Sequence, residues 1–502
     1  MRNSPAQQRS PMRLGMLFVL TLLASGASAC APTAATVRTA ATPTPTVLPG
    51  SAGRITPTAR MTVQRADHTA TLLPNGTVLI AGGCTGDSCE PTDLSKSTEV
   101  YDPATGRFHR SGDMLTLRSG DHTATLLPSG KVLIAGGWSG NASTANAELY
   151  DPASGTFAPT GAMRMRRAGQ TATLLDNGKV LFTGGYDGSQ RLASAELYDP
   201  QTGAFSLTGP MTTARSEHAA ARLLDGRVLI TGGSKDRTTV QATAEIYDPA
   251  TGKFTRTGDM TVVRHKHAAV TLADGRVLVI GGSDGSDSGG FNRGRYASTE
   301  IYDPASGAFS ASATMSVARY KLPTAVAQLA SGDVLVAGDS PRAEVYDVRA
   351  GGFRLTDGSL GASWSFTTAT PLRDGTALIV GGYDTGIHLT PQAWIFHPAG
   401  RYSMRAGRYP LGHLAVASLV DAGACLCTKP DLTVSGLVQP SAIHATLLRA
   451  ENLRLKPHYV GIGGGTFLCY TCTLVRRFAS SGIIRQASDL RSGCSLSCGR
   501  GG

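Results

Sequence analysis

The chain alternates short apolar runs with clusters of glycine, proline and aspartate, and this alternation recurs on a nearly fixed period. "HTATLLPSGKVLIAGG", starting at His122, is almost identical to "HTATLLPNGTVLIAGG", starting at His68, and worn copies follow. Each copy reads in the same order. An apolar stretch of strand length ("TATLL") leads into a tight turn ("PSG", "DNG" or "DG"). A second apolar run then ends in Gly-Gly ("KVLIAGG"), and after a variable segment come "AELYDP", a second turn and a short run centred on Phe. Short apolar runs punctuated by hairpin signals predict β-strands rather than helices. One copy therefore predicts a four-stranded antiparallel meander.

Aligning on Met61, Met114, Met163, Met211, Met260 and Met315 gives steps of 53, 49, 48, 49 and 55 residues. The glycine doublet falls at Gly82-Gly83, Gly136-Gly137, Gly184-Gly185, Gly232-Gly233, Gly281-Gly282 and Gly381-Gly382, with Gly338 alone in the sixth unit. Tyr and Phe follow at a constant spacing of seven, from Tyr101/Phe108 to Tyr346/Phe353, and Phe396 takes the Tyr place in the seventh unit. Arg65, His68 and Glu99 recur in the same slots of most units. A catalytic residue is needed once, so a residue repeated in every unit reads as a building part. One such sheet cannot bury both of its faces, and repetition about an axis solves this.

The Gly-Gly doublet followed by Tyr, with an aromatic residue seven positions on, resembles the Kelch repeat, in which that last residue is Trp; here Phe replaces it throughout. The resemblance covers residues 51–400 and implies an all-β fold, a Kelch β-propeller with one four-stranded blade per repeat. Seven blades are expected. "SAGRITPTARM" (51–61) matches the fourth strand of a repeat that lacks its first three, so an N-terminal strand is expected to complete the last blade and close the ring. Eight blades are the alternative, because "RYSMRAGRYPLGHLAVASL" (401–419) resembles the start of another unit.

The net charge of +11 changes meaning once divided along the chain. Residues 1–60 hold six Arg and no acid, and residues 401–502 hold 12 bases against 4 acids, leaving 29 bases and 32 acids between. The body of the protein is not basic, and nucleic acid is not expected as a partner. Arg2, Arg9 and Arg13 ahead of the apolar "LGMLFVLTLLA" predict a signal peptide over 1–29. Cys30 at its end fits lipidation, and a Thr/Pro-rich tether over 30–50 would then carry the protein on the outer face of a bacterial membrane. Cleavage at Ala29 without lipidation would secrete it. Cys84 and Cys89 sit in one small loop and are expected to form a disulfide, as suits an oxidising compartment. The tail, 401–502, is Cys-containing and basic, and its structure is not legible.

Variation between units collects on the loops after the second strand, which a meander places on one face, and variable loops on a rigid frame are where binding concentrates. That face offers Trp138, Tyr186, Asp187, Arg237, Arg293, Arg295, Tyr296, Tyr383 and Asp384 as ligand-binding candidates. Aromatic faces interspersed with polar groups suit a glycan or a protein ligand. No catalytic residue and no metal site is assigned, and no cofactor is expected. The expected function is that of an exported, monomeric binding module. Its alternative is a sugar-processing propeller enzyme, as the resemblance allows through the galactose oxidase relatives and a sialic acid epimerase. The oxidase relatives need a copper site with a Tyr cross-linked to Cys, which a pairing of Cys84 with Cys89 would preclude.

Overall fold

The second apolar run of each repeat is buried along its whole length, from Val78–Ala81 in the first to Ala377–Val380 in the seventh. A strand apolar on both faces needs a neighbour on each, and the fold supplies them. The computed structural model describes residues 47–86, 96–285 and 294–399, with the backbone of 453–462 and 465–474. Seven four-stranded antiparallel sheets make the blades of a β-propeller, and no helix occurs among the described residues. Blade one runs from its innermost to its outermost strand as Thr69–Leu72, Val78–Ala81, Thr98–Asp102 and Arg107–Arg110, and the next five blades keep this order.

The core lies between blades rather than inside them. Leu79 and Ala81 of blade one pack with Val132, Ile134 and Tyr150 of blade two, and the seam from blade seven to blade one has the same form. Each Tyr lies directly across from its Phe in the strand register, with ring centroids 4.9 Å apart for Tyr101 and Phe108. The Tyr hydroxyl then crosses the seam to a Thr or Ser of the preceding outer strand, as in Tyr150–Ser111 at 2.8 Å and Tyr198–Thr160 at 2.9 Å. Spacing of seven thus places one aromatic pair at six of the seven seams, and at the seam between blades six and seven Phe396 packs with Ile55.

The glycine doublet is required by two close approaches. Gly82 and Gly83 have φ of 68° and 87°, a region that glycine enters without steric cost. A Cβ on Gly82 would stand 2.7 Å from Cε1 of His122 in the next blade, and one on Gly83 would stand 2.9 Å from Cβ of His68 in its own. The single glycine of blade six fits this rule. Asp339 occupies the second glycine position with φ of 49°, and its N–H donates to Trp364 O (2.7 Å) as that of Gly83 does to Arg118 O (3.0 Å).

Blade seven takes Thr368–Pro371, Ala377–Val380 and Ala393–Pro398 from one end of the propeller sequence and its outer strand, Gly53–Pro57, from the other. The count of seven and the N-terminal closing strand both follow the sequence expectation. One feature goes beyond it. Before entering blade seven the chain runs along the outer strand of blade six, Gly352–Leu355, with Leu48 N–H donating to Phe353 O (2.7 Å) and Ala52 N–H to Leu355 O (2.9 Å). The N-terminal segment therefore staples two blades.

The described part of the tail is a separate unit, a backbone hairpin pairing Leu453–Ile462 with Gly465–Leu474. The expected signal peptide and Cys30, the tether before residue 47, and residues 401–419 lie outside the described residues, as do Cys89 and Arg293.

Candidate functional site

The repeated His is a blade-to-blade link. His122 Nε2 lies 3.2 Å from Thr69 Oγ1 of blade one, His218 Nε2 lies 2.8 Å from Thr183 Oγ1 of blade three, and His68 closes the ring to Thr368 at 3.1 Å. Burial, with nearby arginines, pushes these imidazoles down, to about 3 for His122 and His218. They remain neutral at physiological pH.

The repeated Arg and Glu form one fully buried ion pair in each of blades one to six, such as Arg215–Glu245 at 2.7 Å. The Arg also holds the carbonyl of the first glycine (Arg215 Nη1 to Gly232 O, 2.6 Å), and the Glu receives N–H groups of the inter-blade link (Thr212 N, 2.7 Å). These residues are frame. In blade seven the two positions hold Trp364 and Trp394, whose rings lie 6.4 Å apart.

One slot inside this constant frame changes from blade to blade. It is the residue just before the His position: Asp67, Asp121, Gly169, Glu217, Lys266, Lys321 and Phe366. All seven have φ between 50° and 66°, an uncommon conformation for the six that are not glycine. Backbone hydrogen bonds tie neighbours together, from Gly169 N to Asp121 O (3.1 Å), Glu217 N to Gly169 O (2.8 Å) and Lys266 N to Glu217 O (2.9 Å), and from Asp67 N to Phe366 O (3.2 Å) across the closure. The innermost strands that carry this slot follow one another round the axis, so seven residues distant in sequence form one ring at its mouth.

The ring is acidic on one side and basic on the other. Lys266 Nζ pairs with Glu217 at 2.9 Å, and His265 Nδ1 approaches the other oxygen of that carboxylate at 3.0 Å. Burial alone would raise Glu217, but Lys266 and His265 hold it well below the usual carboxylate range. Burial would likewise lower Lys266, yet Glu217 and Asp121 raise it. Lys321 donates to Tyr383 Oη (2.6 Å), and its ammonium lies 5.1 Å from the ring centroids of both Phe366 and Tyr383. Asp67 and Asp121 behave differently. Burial first, and then the charge of the acids around them, raises both carboxyls, Asp67 strongly.

Of the candidate binding residues, the ring gathers four. A cleft of about 460 Å³ at the mouth is lined by Asp67, Asp121, Trp138, Phe366 and Tyr383 among others, and a smaller one of about 220 Å³ by Trp138, Tyr186, Glu217 and Arg237. Trp138 stands between the two. Its indole N–H donates to Asp121 Oδ2 (3.0 Å), and its ring lies 5.9 Å from that of Tyr186. The other described candidates serve the scaffold. Asp187 accepts the N–H groups of Ser189 and Gln190 within its own turn, and Asp384 does the same for Gly386 and His388. Arg295 is paired with Asp339 at 2.9 Å and stacks on Tyr320, while Tyr296 packs under Arg264. Cys84 is disulfide-bonded and lines the larger cleft.

Reasoning from the loops alone passed over Asp67, Asp121, Glu217, Lys266, Lys321 and Phe366. The signal was a variable position between an Arg present in six units and a recurrent His. Blade two also has one residue more than the others between these positions, Gly120.

The Kelch motif family matches residues 167–212, 215–261 and 264–316, which hold blades three, four and five. A search of curated proteins finds no match. Among solved structures, a fungal alcohol oxidase of the AA5 family, in complex with copper, is similar over 69% of this chain and 77% of its own, at 18% identity and a TM-score of 0.57. YjhT is similar over 68% of this chain and 97% of its own, at 12% identity and a TM-score of 0.47. Among the described residues no group of three or more His, Cys, Asp or Glu is placed to hold a metal ion. Cys84 is committed to a disulfide, and the Tyr383 hydroxyl to Lys321.

Proposed function

We infer that this chain, a seven-bladed β-propeller built of Kelch repeats, is an exported binding module that takes a glycan or protein ligand at the axial mouth of the ring. The observation that carries this reading is the contrast between frame and slot. Arg, His, Glu, Gly-Gly and Tyr/Phe recur in most blades as frame, whereas the axial slot holds five residue types across seven blades and gathers charge and aromatic surface beside two clefts. Trp138 and Tyr186 flank the smaller cleft, and such rings cover the apolar faces of sugar units well. Export rests on the positive and apolar N-terminal segments and on the disulfide at Cys84. In this reading Cys30 either anchors a lipoprotein or marks the start of a secreted one, and the protein acts as a monomer.

Binding of the full chain to a glycan array, set beside a peptide array, is the test. Trp138→Ala and Tyr186→Ala are expected to weaken capture several-fold each, since a stacking ring contributes on the order of 1 kcal/mol. Capture that neither substitution alters would place the ligand elsewhere. A second reading, sugar processing at the same mouth, draws on Asp67 and Asp121, because acids with raised proton affinity suit proton transfer. Product formation from a captured sugar would favour it, and recovery of the sugar unchanged would favour binding.

A further inference from the structure

We propose that the larger axial cleft is a seat for an ammonium group, held by the carboxylates of Asp67 and Asp121 and by the aromatic walls Trp138, Phe366 and Tyr383. The proposal rests on the binding reading above and names the ligand chemistry that the mouth selects.

Shape is the first argument. At about 460 Å³ the cleft accepts a group the size of a sugar unit or a long side chain, and its lining combines two acids with three aromatic rings. Charge is the second. Neither Asp67 nor Asp121 forms an ion pair among the described residues, whereas Glu217, the third acid of the ring, is paired with Lys266. Asp67 Oδ2 accepts the Asp121 N–H (3.1 Å) and Asp121 Oδ2 the Trp138 indole N–H (3.0 Å), which leaves acceptor capacity on both carboxylates. Lys266 acts on this pair only at a distance, and Lys321 is turned to Tyr383. The acidic side of the mouth therefore offers two carboxyl groups that no cation of the described residues pairs with directly, and an arriving ammonium would favour their ionised forms.

The walls give the third argument. An ammonium is attracted to the face of an aromatic ring, and this mouth already uses that attraction, with Lys266 5.3 Å and Lys321 5.1 Å from the Phe366 centroid. Trp138 provides a further ring on the acidic side. The fourth is local sequence. Gly120, the extra residue of blade two, sits against the Asp67 carboxylate, and a Cβ there would stand 2.8 Å from its Cγ. Any other residue at this point would push the carboxylate from its place. The raised proton affinity of both acids is what such a site should show while no cation occupies it.

Two sources supply an ammonium on a ligand of this size: a sugar unit with a free amine and the side chain of a peptide lysine. The experiment measures affinity of the full chain for four probes in two pairs: a glucosamine oligosaccharide beside the N-acetylated oligosaccharide of equal length, and a lysine-containing peptide beside its acetyl-lysine form. At least one free-amine probe is expected to bind tenfold or more tightly than its acetylated twin, and which one does so identifies the source. Asp121→Asn and Asp67→Asn should abolish that preference. Tetramethylammonium chloride should compete against the wild-type chain where sodium chloride of equal ionic strength does not, which tests the seat without any substitution. Equal affinity for free and acetylated probes, or absence of tetramethylammonium competition, overturns the proposal. If the mouth captures other glycans while ignoring amines, the ammonium seat fails and the binding reading stands; if no glycan or peptide binds at all, both fail.

Discussion

His122 and its counterparts titrate in a direction that their burial fixes. Their proton affinity falls on folding, to about 3 for His122 and His218, whereas an unfolded imidazole titrates near 6.5. A depressed folded pKa means that protonation favours the unfolded chain. The stability these residues give is complete above about 6.5 and is lost as pH falls from there towards 3. Thermal melts taken from pH 7 to pH 4 should therefore show a falling midpoint. His122→Gln, which copies Gln170 of blade three, should flatten part of that slope, and at pH 7 it should cost less than His122→Ala, for which about 1–3 kcal/mol is expected from polar groups left unpaired. An unchanged slope in His122→Gln would show that this histidine does not titrate on unfolding. The axial acids carry the opposite sign. Asp67 and Asp121 are raised on folding, so the stability tied to their protonated forms is lost as pH rises through their folded values. Asn at either position should leave the protein at least as stable near neutral pH, as melts of the two variants will register.

Within a blade, the buried Arg–Glu pair joins three chain segments: the link before the first strand, the end of the second and the middle of the third. Removing one partner of a buried pair typically costs about 3–5 kcal/mol, because the other charge remains without a counterion. Glu245→Ala is expected to fall in that range, measured by denaturant unfolding, and so is Arg215→Met. The double variant Arg215→Met/Glu245→Leu should cost clearly less than the two single losses together, since no lone charge is left behind. Strict additivity would mean that each residue acts through its backbone contacts alone. Blade seven already performs this exchange. Trp364 and Trp394 occupy the two places, and Trp364 Nε1 donates to Leu360 O at 2.7 Å, so apolar packing can hold the same junction. The two positions can be counted in the seventh unit from Gly381 and Phe396, but no other copy of the repeat shows how a pair of tryptophans would hold the junction. The meander itself was legible. Hairpin turns, apolar runs and a glycine doublet appear in nearly every copy, and agreement among copies removes the ambiguity of any single one.

For the molecule as a whole, closure depends on residues that precede the first complete repeat. Gly53–Pro57 is the outer strand of blade seven, and Val47 to Ala52 lies along blade six, so one short segment holds the last two blades to each other. Deleting residues 47–60 should lower the melting temperature far more than deleting 31–46. Equal midpoints would refute the role of this segment in closure. The sequence carried this feature because 51–61 matches an existing fourth strand residue by residue. It could not reveal the axial ring in the same way. Asp67, Asp121, Gly169, Glu217, Lys266, Lys321 and Phe366 are separated by roughly one repeat each, and only circular closure turns that linear spacing into one ring.

The placement of the three tryptophans gives the molecule two optical channels. Trp364 and Trp394 stand together in the closing blade, whereas Trp138 stands at the mouth beside Asp121. Emission from the first two reports whether the seam is shut, and emission from the third reports what occupies the axis. Trp138→Phe isolates the seam signal, and Trp364→Phe/Trp394→Phe isolates the mouth. Opening of the ring and arrival of a ligand can thus be followed separately by intrinsic fluorescence, without an attached dye.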